Sequence, residues 1–136
     1  MITTEQYFGK KSAPPEHRAN AEDLLRTVNA LLARASFAGI YGALIDADTG
    51  TQISGSKGGS GDGGYRLPDA ATGRARSSHK EAKGVDVFDP YEALDGWLTD
   101  EILAEFGLYR EHPSATRGWC HLSTRAPRSG RRTFYP

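Results

Sequence analysis

Leu24, Leu25, Val28, Leu31 and Leu32 recur at the spacing of one helix face, with Glu22, Asp23, Arg26 and Asn29 between them. A helix with a single apolar stripe is stable in water only when that stripe is buried against a second layer. The spacing predicts a helix over about Glu16 to Ala35, entered through Pro14 and Pro15. Whatever follows must supply the partner layer.

Several short segments can do so. Gly39 to Ile45 is apolar and rich in strand formers, and Asp48-Thr49-Gly50 supplies a turn after it. From Ser54 to Gly64 the chain reads SGSKGGSGDGG, too poor in side chains to pack, which predicts a loop or an approach to a ligand. No Gly-Lys-Ser/Thr leads from it into a helix, so a phosphate-cradling loop is not expected. Gly84 to Phe88 reads as a strand closed by Asp89-Pro90. Tyr91 to Phe106 places Leu94, Trp97, Leu98, Ile102, Leu103 and Phe106 on one helical face and stops at Gly107. Leu108-Tyr109 and Gly118 to Leu122 read as further strands, and the Arg- and Gly-rich stretch after Pro127 as loop. The expected fold is α+β, with two main helices packed on a small, mostly antiparallel sheet. Residues 1–136 are expected to form a single domain, with a glycine-rich loop at about 54–64 and a basic tail at about 125–136.

Seventeen Lys and Arg balance seventeen Asp and Glu, so nothing global points to nucleic acid. Arg125, Arg128, Arg131 and Arg132 crowd the tail, where a solvated basic face is the plain reading and a phosphate-rich polymer the alternative. Cys120 is the single cysteine, which excludes an internal disulfide. It neighbours His121, but adjacent strand residues face opposite ways, so a buried structural cysteine is expected rather than a nucleophile. The opening MITTEQYFGKKSAPPEHR lacks the apolar core of a signal peptide, and no apolar run is long enough to insert in a membrane. Synthesis in the cytoplasm, without a Sec export signal, is expected. His17 and His112 belong to no pattern and are expected to be exposed.

His79, Asp86 and His121 carry the chemistry. Two imidazoles and a carboxylate suit zinc, and three protein ligands leave a fourth position for a water whose pKa falls toward about 7 when bound. Spacing alone leaves open that these are ordinary hydrogen-bonded or exposed side chains.

Ser77-Ser78-His79-Lys80-Glu81-Ala82-Lys83-Gly84-Val85-Asp86, followed by Trp119-Cys120-His121, resembles the Ser-x-His, Asp and Trp-x-His pattern of the zinc D-alanyl-D-alanine carboxypeptidases and their hedgehog-like relatives. Gly64-Tyr65-Arg66 is similar to that family's Gly-Tyr-Arg, and Arg128-Ser129-Gly130-Arg131-Arg132 to the tail of small phage-encoded members. The likeness spans about Glu16 to Leu122. It implies that His79, Asp86 and His121 hold zinc, that Arg66 grips a substrate carboxylate or carbonyl, and that Ser77 orients the site while Trp119 walls the cleft. The plain alternatives are a surface arginine, a turn serine and a core tryptophan.

One place departs from the pattern. Many relatives carry a glutamate three residues before the last histidine, where this chain has Gly118. Hydrolysis needs a group that takes a proton from water and returns it to the leaving amine. Glu111 is the candidate general base, with an exposed charge beside His112-Pro113 as its alternative.

The resemblance implies a monomeric peptidase acting on a peptidoglycan stem peptide, at a D-Ala-D-Ala or an L-Ala-D-Glu bond, without nucleic acid or membrane insertion. It implies an endolysin or virion role, with phage-type delivery to the wall. Two other classes remain: a cell-wall or virion binding module that keeps the metal scaffold without cutting, and an assembly protein whose closed zinc site only staples the fold.

Overall fold

The computed structural model describes residues 1–40, 64–69 and 77–136. Most of the strand expected at 39–45, the turn at 48–50 and nearly all of the glycine-rich run lie outside these residues.

The long helix forms as its pattern requires. It runs from Pro15 to Phe37, one residue earlier and two later than expected, and Pro15 stands at its first turn, where a missing N–H costs nothing. Ala21, Leu24, Leu25, Val28, Leu31, Leu32 and Ala35 are all buried along its inner face. This helix is α2, because a short α1, Thr4–Phe8, precedes it. Thr3 and Gln6 form a reciprocal capping box that starts α1, and Tyr7 and Phe8 pass into the core.

The helix expected over Tyr91 to Phe106 is broken in two, α3 at Ala93–Trp97 and α4 at Asp100–Phe106. Leu98 between them is extended, and the Thr99 hydroxyl accepts the Ile102 N–H at 3.2 Å to begin α4. A local cap thus overrides the continuous apolar stripe. Ahead of α3, both carboxylate oxygens of buried Asp89 accept backbone N–H groups, from Leu94 and Asp95.

Four strands make one mixed sheet in the order β1-β3-β2-β4: β1 Gly84–Phe88, β2 Tyr109–Glu111, β3 Trp119–Ser123 and β4 Thr133–Phe134. The two pairs made by β3 are antiparallel and β2 with β4 is parallel. β4 corrects the expectation of loop after Pro127. Its pairing is carried by backbone bonds, such as His112 N–H to Phe134 O at 2.7 Å, and so leaves little hydrophobic signal. Val85, Val87, Cys120 and Leu122 are fully buried and join α2, Leu94, Leu98 and Leu103 in one core cluster. Trp97 packs against this cluster while partly exposed. The described residues are α+β, with four helices and four strands. Among them no helix is long and apolar enough to cross a membrane.

Candidate metal centre

The β1–β3 register sets Asp86 directly opposite His121. Directly opposed residues share a face, so both side chains stand on the side of the sheet away from Val85, Val87, Cys120 and Leu122. His79 reaches them from a single 3₁₀ turn, Ser78–Glu81, just before β1. Ser77 begins that turn by accepting the His79 N–H at 3.3 Å, and Ala82, left-handed at φ 58°, ends it. The chain can then enter β1 only because residue 84 is glycine: a Cβ there would lie 2.1 Å from Ser78 Oγ and 3.1 Å from His121 Cε1.

The three side chains converge. His79 Nε2 lies 3.3 Å from Asp86 Oδ2, and His121 Nδ1 lies 2.7 Å from Asp86 Oδ1. All three ligand atoms fall within 4.8 Å of one another, and the group could hold a metal ion. Two imidazoles and a carboxylate are a donor set that suits a transition-metal ion.

The far nitrogens sharpen this fit. His79 Nδ1 is 2.8 Å from the carbonyl oxygen of Gly64, which can only accept, so Nδ1 carries the hydrogen. In the neutral ring, Nε2 then presents a lone pair to the Asp86 carboxylate. Two acceptors face each other there unless a proton or a cation lies between them. The His121 ring is also held at its far nitrogen, with Nε2 3.3 Å from the Ser78 hydroxyl, which can donate or accept. Burial opposes charge on Asp86, yet the hydrogen bond from His121, with a further contribution from His79, holds its carboxyl well below the usual carboxylate range. Burial also disfavours a charged His121, but the Asp86 hydrogen bond outweighs it and raises the imidazole.

Gly64 is itself held in place. Its neighbour Tyr65 donates its N–H to Tyr7 O at 2.9 Å, and a Cβ on Gly64 would lie 2.3 Å from the same oxygen. The Tyr7 hydroxyl donates to Gly84 O at 2.8 Å, so α1 touches the segments before both His79 and Asp86. His17 is half-buried and bonded to the Tyr65 hydroxyl at 2.8 Å, not exposed as expected. His112 is also half-buried, stacked on Tyr135 at 4.5 Å.

Around the trio opens a cleft of about 420 Å³ whose walls include Arg66, Ser77, Glu111, Arg125, Phe134 and Pro136. Glu111 ends β2, and continuing the pairing of Tyr109 with Ser123 and Arg110 with Leu122 brings it opposite His121. Asp86, His121 and Glu111 therefore form one cross-strand row. The negative charge of Glu111 contributes to raising His121. Gly118 stands at φ +83° in the turn that leads into β3. Arg66 donates its backbone N–H to His79 O at 3.2 Å, while its side chain lines the cleft.

Two sequence expectations shift. Trp119 packs on Phe88, its partner across the β1–β3 pair, with ring centroids 5.1 Å apart, and is not among the cleft-lining residues. Ser77 does line the cleft, but it is Ser78 that contacts His121. The signal for Ser78 was its place in the Ser-Ser-His run, which motif spacing cannot resolve. Cys120 is buried on the opposite face, as alternation requires, and burial pushes its thiol well up, away from nucleophilic use.

Compared with protein-family models, with curated proteins and with solved structures, the chain finds no match.

Proposed function

We propose that this protein is a zinc peptidase of the D-alanyl-D-alanine carboxypeptidase and hedgehog-like type, acting on peptide bonds of peptidoglycan stem peptides. One observation carries the reading: Asp86, His121 and Glu111 lie in one cross-strand row, with His79 closing on the first two. The row supports the reading because it brings Glu111 alongside a group that could hold a metal ion, and hydrolysis needs such an acid near the metal.

His79, Asp86 and His121 would hold the zinc, and Gly64 O and Ser78 Oγ would keep the two imidazoles turned toward it. Bound zinc supplies Lewis acidity and lowers the pKa of water at the site. Glu111 takes the proton of the attacking water and passes it to the departing amine nitrogen. Arg66 holds a substrate carboxylate through its planar fork. An endolysin or virion role, with phage-type delivery to the wall, belongs to the same proposal.

Elemental analysis of protein purified without chelators, beside His79→Ala, is the first test. About one zinc per chain, lost in the variant, is expected. Absence of metal even after zinc is supplied would defeat the reading. Gly118, standing where relatives carry an acid, favours a second reading in which the scaffold binds wall or virion without cutting. Digests of several peptidoglycan chemotypes that release no new amine and no D-alanine, from zinc-loaded protein, would select it.

A further inference from the structure

We infer that Phe134 is the wall of the leaving-residue subsite, so that the cleft selects a peptide whose departing residue carries an apolar side chain. This rests on the peptidase reading above, with Glu111 as its general base.

Phe134 extends the row that crosses the sheet. It pairs with Glu111 across the parallel β2–β4 contact, and residues paired in register stand on one face. Asp86, His121, Glu111 and Phe134 thus follow one another over β1, β3, β2 and β4, one strand spacing of about 4.8 Å at a time. Phe134 lines the cleft together with Glu111 and Pro127. Among the described residues, neither the core cluster nor the partly buried apolar side chains packed on it include Phe134, so its ring serves the cleft and not the core.

The strand that carries this ring is pinned. Its backbone is tied to β2 by Arg110 N–H to Arg132 O at 2.8 Å and His112 N–H to Phe134 O at 2.7 Å. On the other face, the Thr133 hydroxyl accepts from Arg110 Nε at 3.1 Å and donates to Asp100 Oδ1 at 2.8 Å. Thr133 thereby anchors β4 to β2 and α4, while alternation presents the next side chain to the cleft.

The order of the row sets which part of a peptide meets the ring. The carbonyl under attack lies beside the trio, and the departing amine nitrogen lies at Glu111, which hands it a proton. One residue of extended peptide covers about 3.3 Å, so the side chain that follows this nitrogen arrives one strand further on, at Phe134. An apolar side chain there takes its own surface and that of the ring out of water. A polar one gives up water for a ring that offers it no ordinary hydrogen bond.

Two pairs of synthetic peptides test this with zinc-loaded protein. Within each pair the departing residue is D-leucine or D-asparagine, uncharged side chains of nearly the same shape; the acyl side is D-alanyl in one pair and L-alanyl in the other. In whichever pair is cut, wild type should favour leucine by about tenfold in kcat/KM. Phe134→Ala should lose that preference by losing rate on the leucine peptide alone, and Phe134→Leu should keep most of it. Equal loss on both members of a pair, or no preference for leucine in wild type, would overturn the assignment while leaving the peptidase reading intact. If neither pair is cut, that reading fails, and calorimetric titration of the same peptides decides for Phe134. Tighter binding of the leucine peptides, abolished in Phe134→Ala, would support an apolar subsite; equal binding of both members, or binding of neither, would end it.

Discussion

The two faces of the β1–β3 pair are built from alternate residues of the same ten, yet they obey different rules. Val85, Val87, Cys120 and Leu122 are fully buried, and each could be exchanged for another apolar side chain of similar size at modest cost. Asp86 and His121 are held by atom-to-atom partners, Ser78 Oγ, His79 and each other, which tolerate no such exchange. One face is specified by volume and the other by direction. A pairing slip of one residue would invert both at once, so the apolar face keeps the polar face in register.

That contrast can be broken by experiment. The largest separation is expected from Glu111→Gln: turnover should fall about 10²- to 10⁴-fold, with zinc content and unfolding midpoint unchanged. Near-normal turnover would remove Glu111 from the chemistry. Leu122→Ala, on the other face, should cost about 2–5 kcal/mol in denaturant unfolding and leave zinc stoichiometry at low temperature intact. If it released the metal while the protein stayed folded, the two faces would not be separable. Ser78→Ala should weaken zinc binding about 10- to 100-fold while metal-free stability hardly moves, and Ser77→Ala should do less. The reverse order would return the orienting role to Ser77.

The smallest effect concerns Asp95, on α3 beneath the sheet. Burial pushes its carboxyl up to about 6, against help from the Cys120 thiol and Arg110. Between the ordinary carboxylate value and about 6 the folded chain keeps a proton that the unfolded chain has released, so wild-type stability should fall as pH rises through that window. Asp95→Asn should lack this slope, and parallel pH profiles for the two proteins would refute the argument.

What the sequence made legible follows the same division. Periodicity found α2 within two residues at either end and β1 residue for residue, because both are dictated by apolar spacing. It joined α3 to α4, since Leu98 turns extended and Thr99 restarts the helix with one capping hydrogen bond, which leaves the apolar stripe unbroken. It missed α1, five residues long, and β4, two residues long, whose capping and pairing are backbone matters. The metal trio was read from a motif, whereas the row that adds Glu111 needed the register of β2 on β3, fixed by pairs distant in sequence. In the sequence Gly64 stands out only as part of Gly-Tyr-Arg. Its work, orienting His79 through a carbonyl oxygen, has no side chain to announce it.

The clasp between Tyr7, Gly64 and His79 would make the amino-terminal segment a thermodynamic partner of any cation held by the trio. Coupling of this kind is reciprocal: if docking of α1 favours the ligand-competent ring of His79, then a cation on that ring must favour docking of α1 by the same factor. Occupancy of the centre can then be followed from the opposite end of the linkage, as slower amide exchange and slower protease clipping around Tyr7 when zinc is supplied. Metal bound at residue 79 would act as a fastener for residues more than seventy positions earlier in the chain.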